Sequence, residues 1–207
     1  AVLMGKDGWM FYKLKGEMED SIADYQGTNH YSVDEMERFG ALLKQAEENL
    51  ASRGIKLVFY MVPNKEQVYS EFMPSSVKVV QEQSKADLLY EYLKENTDCD
   101  VYYPLDEFRK AKDDWCQIYR KYDTHWNDMG AFMASQMVIQ DIDGKPFGPE
   151  SYRSYDIENR GTFSGDLATM LNLQKYYDDD PFLKVSGYRE DCLLYTSPSP
   201  RDRTRSR

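Results

Sequence analysis

The sequence predicts an α/β domain with three layers, in which helices flank both faces of a mostly parallel sheet. An amphipathic segment over residues 32–54 leads directly into the largely apolar run 55–62, and a second helical segment and short strand follow at 77–103. Strands that read as nearly continuous apolar runs between helices are typical of parallel sheets buried on both faces. Helix followed by buried strand, repeated along the chain, therefore indicates this fold class.

The first half of the chain supplies the clearest elements. Residues 5–8 form a Gly-rich turn, and the aromatic run 9–12 predicts an edge strand or entry hairpin. Ser32 and Glu35 have the spacing of a capping box, and apolar residues then recur at helical intervals until Gly54. The strand that follows ends at Pro63.

The second half alternates less regularly. We expect helices at 77–93, 105–111 and 129–139, and strands at 101–103 and 115–122. After Asp143-Gly144 the composition shifts to Gly, Ser, Tyr and Asp, and 167–173 is the one helical stretch expected there. This last part reads as a loop-rich insertion ahead of a strand that the chain does not contain, so we expect the sheet to be incomplete.

Composition excludes several classes of function. The 207 residues carry 26 Lys and Arg against 36 Asp and Glu, a net charge of −10, with 41% hydrophobic residues. Such an acidic globular chain argues against nucleic acid or an anionic membrane surface as a partner. No apolar run approaches the roughly 18 residues that span a bilayer, and there is no secretory signal peptide. The chain opens at Ala1 without an initiator Met, so we expect that an N-terminal membrane anchor has been lost.

The last sixteen residues, 192–207, match a translated sequencing adapter. The eleven residues of 192–202 correspond codon for codon to the end of a common transposase library adapter, and 203–207 fit the index that follows it. The alternative is a natural disordered tail rich in Pro, Ser and Arg. We therefore expect residues 1–191 to be a partial domain that lacks its C-terminal part, with 22 basic and 35 acidic residues.

The cysteines and acidic runs give no sign of a metal site. Cys99 and Cys116 are either a disulfide in an extracytoplasmic protein or, the interpretation that we favour, two thiols. The run Asp178–Asp180 is interpreted as a solvated turn, and His30 as a surface residue among turn formers. We expect neither a metal nor a cofactor.

Asp123 and His125 are the candidate chemical residues. They follow a predicted strand and precede a helix, where α/β folds place their sites. Residues two apart in extended backbone point to one face, so Asp123 can accept a hydrogen bond from the His125 ring and leave its other nitrogen as a base. By spacing alone, a capped helix start with a structural histidine is the more frequent outcome. Metal binding would need a third ligand that the spacing does not supply.

Four segments together carry a resemblance to a known family. Residues 123–127 read Asp-Thr-His-Trp-Asn with Gly-Ala at 130–131, residues 5–12 read Gly-Lys-Asp-Gly-Trp-Met-Phe-Tyr, residues 62–65 read Val-Pro-Asn-Lys, and residues 164–167 read Ser-Gly-Asp-Leu. In this order they resemble the AlgJ/AlgX-like alginate O-acetyltransferases, whose domains are SGNH-hydrolase-like, and the related DHHW proteins.

The resemblance implies a Ser-His-Asp enzyme that transfers acetyl groups to hydroxyls of an exported polysaccharide. It implies work outside the cytoplasmic membrane, in the periplasm or at the cell surface, beside a membrane-bound O-acyltransferase that supplies acetyl. Asp123 would be the orienting acid and His125 the general base. The nucleophilic serine is expected on a later strand that is absent from this chain, so we expect the fragment to be inactive. Ser164, interpreted as a helix cap, and Ser186 both lack the context of a nucleophile.

Two further residues are candidates for substrate binding. Trp126 would line an acceptor groove or pack in the core, and Lys65 would reach the site from the end of a strand or remain a solvated loop residue. Two other functions stay open: an acetyl or carbohydrate esterase with the same residues, and a non-catalytic carbohydrate-binding scaffold of an export complex.

Overall fold

A computed structural model of the chain describes residues 2–14, 20–146 and 148–186. The strands are β1 (Val2–Met4), β2 (Met10–Tyr12), β3 (Val58–Tyr60), β4 (Asp100–Tyr102), β5 (Ile157–Phe163) and β6 (Asp180–Val185). The helices are α1 (Ser21–Gln26), α2 (Val33–Ala51), α3 (Lys65–Val68), α4 (Lys85–Asn96), α5 (Leu105–Asp114), α6 (Asp128–Ile142), α7 (Glu150–Arg153) and α8 (Asp166–Met170). Short 3₁₀ turns cover Lys6–Gly8 and Ser70–Phe72. The segment 192–207, expected to be adapter, lies outside these residues.

The described strands pair in small sheets. β1 and β2 are antiparallel, β3 and β4 are parallel, and β5 and β6 form an antiparallel pair with an irregularity between Asn159 and Thr162. The β3–β4 ladder is three residues long, and Pro63 and Pro104, which lack an N–H donor, follow soon after its two strands. Helices alternate with strands as expected, but the described residues show one parallel pair rather than a three-layer parallel sheet.

Local capping signals set the long helices. Ser32 and Glu35 form the expected capping box at the start of α2. A second box, between Ser84 and Asp87, begins α4 at Lys85, so the prediction of a helix from residue 77 is wrong. The intervening residues are turns and bends, and Val80 is exposed there.

Three other predictions also fail in the structure. Residues 115–122 are not a strand, because the chain turns back on itself and makes a single bridge, between Tyr119 and Trp126. The region after residue 143 contains the antiparallel β5–β6 pair rather than loop and helix alone. Strand β3, expected to be buried on both faces, is only half-buried.

Across the part of the chain that the structure describes, buried side chains form three hydrophobic clusters. The largest joins the aromatic residues of the N-terminal hairpin to α5 and α6, and the second lies between α2, α4 and β4. The third is small and consists of Met10, Tyr122, Leu167 and Ala168. It packs β2 and α8 against the chain directly before Asp123, so it fixes the base of the candidate site.

Candidate active site

The candidate site lies on a tight loop between residues 118 and 127. The amide of Arg120 donates to the carbonyl of His125 at 3.2 Å, and the amide of Asn127 donates to the carbonyl of Ile118 at 3.0 Å. The Asn127 side chain then accepts from the amides of Met129 and Gly130 and caps α6. The loop is therefore closed at its base and tied to a helix start, with residues 121–125 at its tip.

Asp123 and His125 form a hydrogen-bonded pair at this tip. The ring Nδ1 of His125 lies 2.7 Å from Asp123 Oδ1, which also accepts from the His125 amide at 2.9 Å. The Asp123 side chain is 8% exposed and the His125 side chain 74% exposed. The expected hydrogen bond is thus present, and it places the N–H on Nδ1 and leaves Nε2 as the basic nitrogen.

Asp166 at the start of α8 supports this pair from the other side. Its amide donates to Asp123 Oδ2 at 2.9 Å, and its carboxylate accepts from both the amide and the hydroxyl of Thr124 at 2.8 and 2.7 Å. Burial alone would raise the pKa of Asp123, but hydrogen bonds from the His125 and Asp166 amides and from the His125 ring together lower it. The Asp123 carboxylate is therefore held ionised beside the histidine.

The contact of Asp166 with Asp123 joins residues 43 apart in the chain, and no pattern in the sequence indicates it. Ligand atoms of Asp123, His125 and Asp166 lie within 4.8 Å of one another, so the fold does bring a third candidate metal ligand to the pair. The carboxylate oxygens of both acids already accept hydrogen bonds from N–H and O–H donors of the protein. The arrangement therefore fits an acid–base pair rather than a metal centre.

Gly165 allows α8 to approach the loop. A Cβ at this position would lie 2.1 Å from the Tyr122 carbonyl oxygen and 2.6 Å from Asp123 Cβ. The Tyr122 carbonyl accepts from the Leu167 amide at 3.0 Å. Only a glycine permits this distance between the two backbones.

Lys65 lies beneath the same loop, and its position differs from the expectation. Its ammonium is buried and donates to the carbonyls of Met10, Lys121 and Asp123 at 2.6, 3.0 and 3.0 Å. Burial lowers the pKa of Lys65 to about 7, opposed by nearby carboxylates, while three carbonyl acceptors favour the charged form. These bonds hold the loop in position, and a role of Lys65 in substrate binding stays a prediction.

A cleft of about 390 Å³ opens beside His125. The side chains that line it include Tyr12, Asn64, Glu66, Tyr119 and Trp126. Trp126 is half-buried and stacks on Phe108 with ring centroids 6.5 Å apart, so it both packs against the core and borders the cleft. Its role in substrate binding stays a prediction.

The serines do not complete a triad within the described residues. Gly165, not Ser164, is the N-cap of α8, and the Ser164 hydroxyl is buried without a described partner. The Ser186 hydroxyl donates to the Asp156 carbonyl at 3.4 Å. Within ranges 2–14, 20–146 and 148–186, no serine hydrogen-bonds to His125.

Other sequence interpretations have mixed outcomes. The run Asp178–Asp180 is not wholly solvated, because Asp180 is 1% exposed and accepts from the Gln117 side chain and the Lys121 amide. Cys99 and Cys116 are free thiols, and burial raises the pKa of Cys116 to about 12. His30 lies at the surface, where its ring is 3.3 Å from the Gln83 carbonyl.

No helix in the described part of the chain combines the length and apolar character needed to cross a bilayer.

Comparison with known proteins finds relatives along most of the chain. The probable alginate O-acetylases AlgJ of Pseudomonas syringae pv. tomato and Pseudomonas aeruginosa are 28% and 27% identical over 187 and 184 residues. In each case the match covers 86% of this chain, which spans 43% of the relative's length.

Solved structures show the same fold. The O-acetyltransferase domain of Pseudomonas putida AlgJ is similar with a TM-score of 0.53 and 17% identity, over 90% of this chain and 66% of that domain. A DHHW family protein from Eubacterium siraeum is similar with a TM-score of 0.54 and 16% identity, over 89% and 56%. Residues 2–184 match the family described as SGNH hydrolase-like domain, acetyltransferase AlgX, and the chain belongs to that family.

Proposed function

We propose that this domain carries the acid–base part of an O-acetyltransferase that acts on hydroxyl groups of an exported polysaccharide. The observation that supports this most directly is the bond between the buried Asp123 carboxylate and Nδ1 of the exposed His125 ring, at the edge of an aromatic-lined cleft. The names of the AlgJ relatives support acetyl transfer to a polysaccharide. The likeness to solved structures supports the fold.

In the proposed mechanism, Nε2 of His125 serves both half-reactions. A serine outside the described residues attacks the acetyl carbonyl and passes its proton through His125 to the leaving group of the donor, which gives an acetyl-serine. A sugar hydroxyl then attacks this ester while His125 accepts the hydroxyl proton and returns it to the departing serine oxygen. Asp123 stabilises the imidazolium that forms in each step.

The proposed setting follows from the same reasoning. The acetyl group would come from a membrane-bound O-acyltransferase, and the protein would work outside the cytoplasmic membrane, in association with it. The three-layer fold would place β3 and β4 within a larger parallel sheet of the complete domain, whose carboxyl edge carries the Pro63–Lys65 segment beside the loop.

An esterase is the second candidate, and one observation favours it. The His125 side chain is 74% exposed, so water can reach Nε2 as readily as a sugar hydroxyl. Transfer and hydrolysis then differ only in the acceptor that attacks the acetyl-serine. A cleft that binds sugar would favour transfer by holding a hydroxyl near His125.

The test uses the whole protein that carries this domain, an aryl acetate as donor and soluble oligosaccharides as acceptors. Mass spectrometry of the oligosaccharides measures transfer, and release of acetate without acceptor measures hydrolysis. We expect transfer to exceed hydrolysis and His125→Ala to slow transfer on the order of 10³-fold, as loss of a general base does. His30→Ala, the matched control, should stay within about twofold.

Three results would contradict parts of the proposal. Full activity in His125→Ala would remove the general base assigned to this residue. If acetate is released and no added oligosaccharide becomes acetylated, the protein is an esterase instead. Binding of glycan with neither reaction would leave a carbohydrate-binding scaffold.

A further inference from the structure

The cleft beside His125 offers no free positive charge among its described lining residues. Lys65 and His125 are the basic side chains that line it there. The Lys65 ammonium already donates to three buried carbonyls, and Nδ1 of His125 faces Asp123. A general base must also be neutral when it accepts a proton, so His125 contributes no positive charge as the acceptor binds.

Acidic side chains, by contrast, lie at or directly behind this cleft. Glu66, directly after Lys65 in α3, lines the cleft and is only 7% exposed. Burial raises the pKa of Glu66, with a hydrogen bond from its own backbone and the charge of Lys65 acting in the opposite direction. The Asp123 and Asp166 carboxylates lie behind His125 at the same site. A carboxylate brought in by a ligand would lie near these acidic groups, and the Lys65 ammonium that lines the cleft already donates to three carbonyls.

The remaining lining groups suit hydroxyls and the C–H faces of a sugar. Asn64 is exposed, lines the cleft and does not cap α3 with its side chain, so its amide can donate to one sugar oxygen and accept from another. Glu66 offers a carboxyl to a neighbouring hydroxyl. The rings of Tyr12 and Trp126 border the same space and provide apolar surface for a pyranose face.

We propose that this cleft binds an uncharged sugar unit, with Glu66 and Asn64 recognising its hydroxyl groups, and that it disfavours a uronate. The inference rests on the proposed acetyl transfer and narrows its acceptor to a polymer whose acetylated unit is neutral. The relatives named as alginate O-acetylases would act on a polyuronate, so this chain would differ from them in acceptor charge.

The test compares two acceptors of equal length in the transfer assay on the whole protein. Cellohexaose is the neutral acceptor and a mannuronate hexamer the charged one, each at low ionic strength, where charge repulsion is least screened. We expect the ratio of kcat/KM to favour cellohexaose at least about tenfold, which corresponds to about 1.4 kcal/mol. Glu66→Gln, which keeps a hydrogen-bonding group but cannot ionise, should reduce this ratio to about threefold or less.

Two more variants isolate the subsite from general effects on folding. Glu48→Gln changes the same charge on the exposed surface of α2 and should leave the ratio unchanged. Asn64→Ala removes an exposed side chain and should raise KM for cellohexaose several-fold with little change in kcat.

The possible results separate this inference from the proposed function. Equal or faster transfer to the mannuronate hexamer would overturn the inference and leave acetyl transfer established. A preference for cellohexaose that both Glu66→Gln and Asn64→Ala leave intact would remove these residues from acceptor recognition. If neither acceptor is acetylated, the proposed transferase function itself fails.

Discussion

Replacing Gly165 by alanine is expected to separate the loop that carries Asp123 and His125 from α8. The new Cβ would lie 2.1 Å from the Tyr122 carbonyl oxygen, whereas ordinary van der Waals contact begins at 3.4 Å. The atom nearest to it belongs to the backbone and cannot rotate away. The loop and the helix must therefore move apart by about 1.3 Å, a shift that is large for a packed interior.

The size of the effect follows from the hydrogen bonds that span this contact. They run from the Leu167 amide to Tyr122, from the Asp166 amide to Asp123 and from the Thr124 amide to Asp166, at 3.0, 2.9 and 2.8 Å. Loss of three such bonds at about 1 kcal/mol each, with about 1–3 kcal/mol for overpacking, lowers the free energy of unfolding by about 4–6 kcal/mol. For a domain of this size the Tm would fall by roughly 10 °C or more.

Urea unfolding measures this loss, and NMR of the imidazole nitrogens reports the bond between His125 and Asp123. Gly144→Ala is the control, because its Cβ would meet nothing within 4 Å although its φ of 66° strains any other residue. We expect the control to lose about 1 kcal/mol and to keep the wild-type His125 signals. If Gly165→Ala is no less stable than this control and its His125 signals are unchanged, the proposed coupling between α8 and the loop is wrong.

Three further predictions concern buried charges. Burial lowers the pKa of Lys65 from 10.5 to about 7, so the unfolded chain binds more protons than the folded chain between these two pH values. The free energy of unfolding should therefore rise with pH in this range, by up to about 1.4 kcal/mol per pH unit. If Lys65→Met shows the same dependence of unfolding free energy on pH, this prediction is wrong. The pKa of Asp123 is lowered on folding, so its contribution to stability is present above about pH 4 and is lost as the pH falls further. In acid titrations followed by circular dichroism, Asp123→Asn should therefore lose less stability below about pH 4 than the wild type. Asp180→Ala leaves the Gln117 side-chain amide and the Lys121 backbone amide without this acceptor, and it should lower the free energy of unfolding in urea by about 2–4 kcal/mol. A similar loss in the exposed control Asp178→Ala would instead indicate a general effect of charge.

Local signals explain the parts of the structure that the sequence predicts well. The capping box of Ser32 and Glu35 needs only residues three apart, and the Asp123–His125 bond needs only residues two apart. The wrong start predicted for α4 also comes from reading local signals. Apolar residues before Ser84 extend the helical pattern backwards, but the cap at Ser84 fixes the helix start and leaves Val80 64% exposed.

Long-range contacts explain what the sequence misses. Strand β5 is nearly all exposed and includes Gly161 at a φ of 123°, so its pairing with β6 leaves no alternating pattern to read. The burial of Lys65 depends on carbonyls contributed by Met10 and by the loop 56–58 residues away. Neither contact has a signature in the residues next to it along the chain.

These same contacts favour the proposed site over an ordinary capped helix start, the interpretation that spacing alone favours. A structural histidine needs one hydrogen-bond partner, whereas this loop is held by Lys65 from below, by Asp166 from one side and by Asp180 at Lys121. Lys65 and Asp180 are buried ionisable groups, the Asp166 side chain is partly exposed, and each accepts from or donates to the loop's backbone. Burial of such groups is costly unless they are fully bonded, so their placement around one exposed imidazole is better explained by the need to fix His125 than by stability.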